Sequence, residues 1–289
     1  MIMWPAIAAA RAHDPATRTP FFVAQDGVPP STVGSVALEY LRALARWPQW
    51  LRVEPRGVTL HCAAAARADA MAAMHDTLRA EGLIVAWRDE AFPLFTVRGD
   101  PLGVSIERAA TRFWGSLTLG AHCNGYVADT HGRPQHLWIA RRSFTKATDP
   151  GKLDNLVGGG VPAGQSPHDA VVREAWEEAG LVPWQLQGLA RGRVLQLLRD
   201  IPEGLQREWI HVYDLALPTE LTPCNRDGEV AELSLLPLPQ ALALAASEEM
   251  TVDASLVTLD FALRHRLLDD RVAHALAAEV APLFEGQAV

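Results

Sequence analysis

From about Phe113 onward, apolar and polar positions follow two periods. Continuous or alternating apolar runs predict strands, whereas apolar positions three or four residues apart predict helices. The predicted strands span residues 119–127, 136–140, 186–197, 209–217 and 229–235. The predicted helices begin at Pro167, Pro239, Val252 and Val272. Strands on both sides of a central helix, with further helices behind them, predict an α/β fold.

The first hundred residues show weaker periods. Residues 1 to about 30 are rich in proline and alanine and are predicted to form loop and an early helix. The spacing of Val33, Val36, Leu41 and Leu44 predicts a helix over 31–50. A strand over 57–62, a helix over 63–81 and strands over 83–87 and 94–97 complete a small α+β unit. We therefore predict an N-terminal α+β domain (1–112), a central domain (113–250) and C-terminal helices packed on it (251–289).

The central helix has clear end signals. Ser166 is a good N-cap, Pro167 fits the first turn, and Asp169 completes a variant capping box. Gly180 suits the left-handed position that follows a helix. These signals predict a helix over residues 167–179.

Three glutamates, Glu174, Glu177 and Glu178, share one face of this helix because they lie three and four residues apart. Like charges at these spacings repel each other, which favours a bound cation between them. The alternative interpretation is an ordinary acidic stripe exposed to solvent. Clustered carboxylate oxygens suit Mg²⁺ or Mn²⁺. The opposite face is predicted to be buried, through Val172, Ala175, Trp176 and Ala179.

A glycine run, Gly158-Gly159-Gly160, precedes this helix. Alone it indicates a flexible turn, but with the helix it resembles the Nudix box. The matching positions are Gly159, Arg173, Glu174, Glu177, Glu178, Gly180 and Leu181. One position departs, since Gln165 stands where the box has glutamate.

The resemblance implies an α/β/α sandwich with a mixed sheet and a Mg²⁺- or Mn²⁺-dependent hydrolase that cleaves a diphosphate linkage. It implies metal ligands at Glu174, Glu177, Glu178 and the carbonyl of Gly158, while Arg173 orients a neighbouring carboxylate. Nudix enzymes take their general base from a box glutamate or from a later loop. Glu229, in the loop 225–229, is therefore the other candidate base, and a charged turn without function is the competing interpretation.

Further segments are similar to a Nudix subgroup related to the domain fused to thiamine pyrophosphokinase. These segments are residues 108–110, 122–126, 141–146 and 150–155. The subgroup carries an extra N-terminal domain. It implies thiamine diphosphate or an oxidised analogue as the substrate.

The basic residues are distributed unevenly. Of 26 lysines and arginines, only Lys146 and Lys152 are lysines, and both lie just before the glycine run. A compact ammonium suits phosphate oxygens, although a solvated charged loop is the alternative. We predict substrate contacts from Arg142, Lys146, Lys152, Gly159 and Gly160, with Arg141 completing the basic segment.

Composition limits the other partners. A net charge of −8 and a pI near 5.7 argue against nucleic acid, which needs a basic surface. Three scattered cysteines indicate neither disulfides nor a zinc site and favour the reducing cytoplasm. The N-terminus lacks the basic start of a signal peptide, and no apolar run is long enough to cross a membrane. A homodimer stays open.

Other functions also stay open. A nucleoside-diphosphate-derivative pyrophosphatase needs the same site. An isomerase of the isopentenyl diphosphate type needs a reactive cysteine, for which Cys123 is available, and a non-catalytic binding module would explain Gln165. Trp114, Trp138, Trp184 and Trp209 either stack on a heteroaromatic ring or form core, and residues 87–90 either contact substrate or only pack.

Overall fold

A computed structural model describes residues 4–25 and 27–284. Within these residues, no helix is both long and apolar enough to cross a membrane. The first part contains α1 (Pro5–Ala9), β1 (Arg18–Gln25), β2 (Val28–Ala37), α2 (Leu41–Leu44), β3 (Leu51–Glu54), β4 (Gly57–Leu60), α3 (Arg67–Ala80), β5 (Ala91–Phe95), β6 (Pro101–Glu107) and α4 (Arg108–Trp114).

These elements, apart from α1, form an N-terminal α+β unit around one apolar core. Four strands pair in the order β2-β1-β4-β3, and β5 and β6 form a separate hairpin. The core includes Phe21, Met71, Leu94, Phe113 and Trp114. The predicted strand over 57–62 and helix over 63–81 are confirmed as β4 and α3, and the strand over 94–97 is found slightly earlier, as β5.

The predicted helix over 31–50 is wrong, and so is the prediction of loop and helix alone over the first thirty residues. The chain instead forms the β1–β2 hairpin, followed by one short helical segment. Val33 and Val36 are buried in this strand, where β-branched side chains pack well. A Cβ on Gly34 would lie 2.3 Å from the carbonyl oxygen of Trp114, so tertiary packing decides the local structure.

The predicted strand over 83–87 is also wrong. This segment is an irregular turn in which Ala86 and Asp89 have positive φ angles of 58° and 57°. Such backbone cannot continue a strand ladder. The segment consequently leads Arg88 to the edge of the second unit, where it lines two cavities described below.

The second unit begins with β7. Its elements are β7 (Leu117–Ala128), β8 (Pro134–Arg142), β9 (Leu153–Asp154), β10 (Val157–Gly160), α5 (Pro167–Ala179), β11 (Ala190–Ile201), β12 (Gly204–Ala216), β13 (Val230–Pro237), α6 (Leu238–Ala245), α7 (Val252–Arg264) and α8 (Asp270–Val280). All five predicted strands and the four predicted helices of this part are present. Only their ends differ, by a few residues.

The main sheet is mixed. Its strand order is β11-β12-β7-β8-β13, with β12 and β7 parallel and the other neighbours antiparallel, while β9 and β10 pair with β8 and β7. Helix α5 covers one face, through a core that includes Ala175 and Tyr213. Helices α6, α7 and α8 cover the other face, through a core that includes Ile210 and Leu259. The predicted α/β/α sandwich is confirmed.

Helix α1 belongs by sequence to the predicted N-terminal domain (1–112), but it packs against the second unit. The indole Nε1 of Trp4 donates to Ser255 Oγ of α7 at 2.8 Å, and Trp4 belongs to the core beneath α7. The backbone amides of Leu198 and Asp200 in β11 donate to the carbonyls of Ala10 and Ala12 at 2.9 and 2.8 Å. The start of the described chain therefore packs with the second unit.

Candidate active site

Helix α5 forms as its end signals predict. The backbone amide of Asp169 donates to Ser166 Oγ at 3.1 Å, and the backbone amide of Ser166 donates to Asp169 Oδ2 at 3.1 Å. Gly180 follows the helix with φ of 65°. The helix spans Pro167–Ala179, and its prediction is confirmed.

The predicted orientation of α5 is partly wrong. Trp176, expected to be buried, is 43% exposed and lies under the guanidinium of Arg226 at 4.1 Å. Glu178, expected to be solvated, is only 5% exposed. Small buried residues, including Ala170, Ala175 and Ala179, let the helix lie close to the sheet, and this brings Glu178 under the glycine strand β10.

Strand β10 holds the glycine run against β7, with Gly158 opposite His122 and Gly160 opposite Gly120. Each glycine makes room for a different side chain. An added Cβ would lie 2.7 Å from His122 Cε1 at Gly158, and 2.1 Å from Glu174 Oε1 at Gly159. At Gly160 it would lie 2.6 Å from the Phe92 ring. The flexible turn is therefore excluded, because the run is an ordered strand between packed side chains.

Glu178 is a buried carboxylate with two partners. Its Oε2 accepts the backbone N–H of Gly158 at 2.9 Å, and its Oε1 lies 3.3 Å from Lys146 Nζ. Burial raises the pKa of Glu178 to about 8, against the attraction of the Lys146 ammonium. The neighbouring Glu174 carboxylate raises this pKa further. This side chain carries more desolvation than its present partners offset.

Arg173 holds the other two glutamates. Its guanidinium donates to Glu174 Oε1 at 2.8 Å and to Glu177 Oε2 at 2.6 Å. Burial raises the pKa of Glu174, although Arg173 opposes the rise. The Nε of Arg173 also donates to Gln165 Oε1 at 3.3 Å. Gln165 can thus supply the acceptor that a glutamate would supply at this box position.

Glu229 lies beside Lys146, the partner of Glu178. Its Oε2 is 2.7 Å from Lys146 Nζ, so this single ammonium bridges Glu178 and Glu229. Although burial opposes it, the hydrogen bond from Lys146 lowers the pKa of Glu229. Glu229, Glu174 and Glu177 line one cavity of about 420 Å³, which we call the glutamate cavity.

The remaining predicted substrate residues are distributed differently. Arg142 lines the glutamate cavity, but its guanidinium also donates to Asp154 Oδ2 at 2.8 Å and to the main-chain carbonyls of Thr148 and Asp149. Lys152 Nζ lies 3.6 Å from Asp149 Oδ1. In the described part of the chain, Lys152 lines neither the glutamate cavity nor a second cavity described below. The structure therefore brings Lys146 and Arg142, but not Lys152, to the three glutamates.

A second cavity, of about 140 Å³, lies along the same glycine strand. We call it the histidine cavity because His122 lines it. Arg88 and Arg108 of the N-terminal unit line both cavities, and Arg112 lines the second one. Contact between the units is direct, since the backbone amide of Ala163 donates to the carbonyl of Ala91 at 2.8 Å.

Sequence reasoning missed most polar groups of the histidine cavity. Arg112 donates to Glu208 Oε2 at 2.8 Å, and Gln206 donates to both Glu208 and Asp253. Although burial opposes it, Arg112 lowers the pKa of Glu208, whereas burial and Glu208 raise the pKa of Asp253. A glutamate one position before the apolar run 209–217 was the available signal for Glu208.

The residues of α5 fit a divalent cation in kind. Glu178 and Glu174 lie against the glycine strand, Glu177 lines the glutamate cavity, and burial raises the pKa of both Glu178 and Glu174. A divalent cation would offset this desolvation. Gly159 keeps open the space against Glu174 that any side chain would fill. Within residues 4–25 and 27–284, however, no three acidic, histidine or cysteine side chains already form a metal-binding cluster. Instead, Arg173 pairs with Glu174 and Glu177, and Lys146 pairs with Glu178.

Several alternatives lose their support in this geometry. Cys123 is buried in the core beneath α5, and burial raises the pKa of its thiol well above the usual range. Trp114 and Trp138 are buried in the cores, and Trp184 is exposed. None of the four candidate tryptophans lines either cavity in the described chain.

Comparison with known proteins identifies the family. A model of the NUDIX domain matches residues 121–255, and a domain of unknown function, DUF4743, matches residues 6–117. An uncharacterized Nudix hydrolase of Nostoc sp. is 32% identical over 131 residues, which are 40% of this chain and 75% of that protein. The chain belongs to the Nudix family.

Two Nudix relatives from Arabidopsis thaliana match a longer segment. Nudix hydrolase 24, chloroplastic, is 36% identical over 203 residues, which are 70% of this chain and 55% of the relative. Nudix hydrolase 20, chloroplastic, is 38% identical over 202 residues, which are 69% of this chain and 53% of the relative. The chain spans about half the length of these curated relatives.

Proposed function

We propose that this chain is a Mg²⁺-dependent Nudix hydrolase that cleaves a diphosphate linkage in a small molecule. The observation that supports this most is the glutamate cavity, which is lined both by Glu174 and Glu177 and by basic side chains, those of Arg88, Arg108 and Lys146. Acidic oxygens suit a divalent cation, and the basic side chains suit the phosphate oxygens of the substrate.

Mg²⁺ held by these residues would supply Lewis-acid stabilisation of phosphate charge and would make a water molecule more acidic. The chain itself orients the carboxylates through Arg173 and Lys146. Glu174, Glu177, Glu178 and the Gly158 carbonyl are the proposed ligands, and Gly159 and Gly160 let the substrate approach the backbone. Either Glu174 or Glu229 acts as the general base.

The substrate proposed first is thiamine diphosphate or an oxidised analogue, because segments 108–110, 122–126 and 150–155 resemble the corresponding subgroup. These segments meet around the histidine cavity, through Arg108, His122 and Asp154. Nucleoside-diphosphate derivatives are the second candidate class.

A reducing compartment such as the cytoplasm suits the free cysteines Cys62, Cys123 and Cys224.

A phosphate-release screen tests the proposal. The 289-residue chain is assayed with Mg²⁺ on thiamine diphosphate, oxidised thiamine diphosphates, nucleoside diphosphate sugars and dinucleotides. We expect Mg²⁺-dependent release from the thiamine compounds. Release from nucleotides alone would replace the substrate, and no release from any member would contradict the activity.

Metal binding is measured separately by calorimetry. We expect Mg²⁺ or Mn²⁺ to bind the wild-type chain and to bind a Glu178→Gln variant at least about tenfold more weakly, since one charged oxygen ligand is lost. A metal affinity unchanged by this substitution would contradict the proposed ligand set. No metal uptake even with pyrophosphate present would remove the basis of the mechanism.

A further inference from the structure

Two segments that the resemblance singles out, 122–126 and 150–155, meet in a buried chain of hydrogen bonds. His122 Nδ1 lies 3.0 Å from Asn155 Oδ1. Asn155 Nδ2 donates to Asn124 Oδ1 at 3.1 Å, and Asn124 Nδ2 donates to Asp214 Oδ1 at 3.0 Å. His122, Asn124, Asp214 and Asn155 are all buried, so these bonds act in a poorly solvated environment.

The far end of this chain determines its direction. Asp214 accepts from Arg264 Nη2 at 3.0 Å, and Arg264 Nε donates to Asp260 at 2.6 Å. A carboxylate bound in this way accepts from Asn124, so the Asn124 amide nitrogen faces Asp214 and its oxygen faces Asn155. Because the Asn124 oxygen can only accept, the amide nitrogen of Asn155 faces Asn124 and its amide oxygen faces His122.

His122 Nδ1 must therefore donate its proton to Asn155. In the neutral imidazole, Nε2 is then a hydrogen-bond acceptor. His122 is 8% exposed and lines the histidine cavity, and its Nε2 has no hydrogen-bond partner among the described residues. Because this atom lines the cavity without such a partner, it is available to accept a hydrogen bond from a donor of a ligand.

Other groups of the histidine cavity have the same need. Glu203 Oε2 and Arg112 Nη1 are buried without a hydrogen-bond partner in the described chain. Among residues 4–25 and 27–284, the Asp253 carboxylate accepts hydrogen bonds only from the Gln206 amide. The cavity thus offers three acceptors and one donor that protein groups do not fully satisfy.

The size and position of the cavity indicate what it holds. Its volume of about 140 Å³ is close to that of a cavity that binds one benzene ring. It shares Arg88, Arg108 and the glycine strand with the glutamate cavity. A molecule with its diphosphate in the glutamate cavity can therefore extend a ring into the histidine cavity.

We infer that the histidine cavity binds the organic group of the substrate, a nitrogen heterocycle with N–H donors and a ring acceptor, and that His122 Nε2 accepts one of those donors. This inference rests on the diphosphate function proposed above. It assigns a specificity-determining role to His122, and a positioning role to Asn155, which orients the imidazole.

Binding is tested without turnover. A Glu174→Gln chain, with and without a second substitution His122→Phe, is titrated calorimetrically in the presence of Mg²⁺. The probes are thiamine diphosphate, cytidine diphosphate and isopentenyl diphosphate, which has no N–H donor. We expect the single variant to bind at least one heterocyclic probe about tenfold more tightly than isopentenyl diphosphate, and His122→Phe to remove this preference.

The two heterocyclic probes distinguish a thiamine-type ring from a nucleobase. Equal affinity for all three probes, or a preference that survives His122→Phe, overturns the inference, and absence of binding by every probe overturns it as well. The proposed activity is judged independently, by Mg²⁺-dependent phosphate release from the wild-type chain. Hydrolysis of isopentenyl diphosphate as efficient as that of both heterocyclic probes would support the activity and overturn the inference.

A matched control separates a ligand contact from a folding defect. Cys123 is buried next to His122 on β7 but packs in the core beneath α5. Cys123→Ala should lower Tm and keep the tenfold preference, whereas His122→Phe should lose it. An Asn155→Leu variant that reduces the preference without changing the affinity for isopentenyl diphosphate would support the positioning role.

Discussion

The two sides of the glycine strand are built in different ways. On the helix side, Arg173 contacts Glu174 and Glu177 within a single turn of α5. On the cavity side, His122 depends on Asn155, 33 positions away, and Arg112 on Glu208, 96 positions away. Local spacing organises the first side, whereas contacts between residues distant in sequence, some within the second unit and some between the two units, organise the second side.

The largest expected effect tests the helix side. Glu174→Gln should lower kcat about a thousandfold, which raises the barrier by about 4 kcal/mol, because it removes a proposed metal ligand that is also a candidate general base. Glu229→Gln should then lower kcat far less. Phosphate-release kinetics with Mg²⁺ measure both, and a thousandfold loss in Glu229→Gln alone would move the base to the later loop.

The next effect concerns the stability of the N-terminal unit. Trp114 Nε1 donates to His75 Nε2 at 2.8 Å, and burial lowers the pKa of His75 from 6.5 to about 4. Between pH 6.5 and about 4, His75 is protonated in the unfolded chain but stays neutral in the folded chain. The folded state is therefore fully stabilised, relative to the unfolded state, only while His75 is neutral in both. This stabilisation is complete above pH 6.5 and is lost as the pH falls toward 4, by about 3 kcal/mol in total.

Denaturant unfolding between pH 4 and 7 measures this loss. His75→Gln keeps an acceptor for Trp114 but does not titrate, so its free energy of unfolding should fall less steeply with decreasing pH. Parallel pH profiles for the two chains would contradict the assignment.

A smaller effect tests the fit between strand and helix. Gly159→Ala places a Cβ 2.1 Å from the present position of Glu174 Oε1, so the carboxylate must move. We expect kcat/KM to fall about 30-fold, equivalent to about 2 kcal/mol. Gly188→Ala is the matched control, because a Cβ there meets no atom within 4 Å. Equal kinetics for both variants would show that the close approach is unimportant.

The smallest effect compares the two lysines. Lys146→Ala removes the ammonium that bridges Glu178 and Glu229, and KM for a diphosphate should rise about tenfold. Lys152→Ala removes an exposed pair with Asp149 and should change KM less than about twofold. Steady-state kinetics decide between them. An equal loss in both variants would restore Lys152 to the substrate site.

These differences explain what sequence reasoning achieved. The caps of α5 depend on Ser166, Asp169 and Gly180, which act within a few residues, so the helix could be predicted to its ends. The side of α5 that is buried depends on Gly158 and Lys146, which satisfy Glu178 from other elements. No helical periodicity contains that information.

The N-terminal unit shows the opposite case. The spacing of Val33 and Val36 fits a helix as well as a strand, and only pairing with β1 and contact with Trp114 select the strand. Likewise, Arg88 and Arg112 look like ordinary surface arginines until the units pack together. Sequence patterns predicted the fold class and the helix that carries the three glutamates, but not most of the polar groups of the second cavity.

The packing of Trp4 and α1 on α7 makes the N-terminal unit an insertion held at both ends. The chain leaves the sandwich after α1 and returns to it at β7. Two tethers restrict any hinge motion of Arg88 and Arg108 relative to the glycine strand. Cutting the chain at residue 113 would therefore remove α1 as well and uncover an apolar groove on α7, so excision of the insertion with α1 retained is the better way to isolate the sandwich.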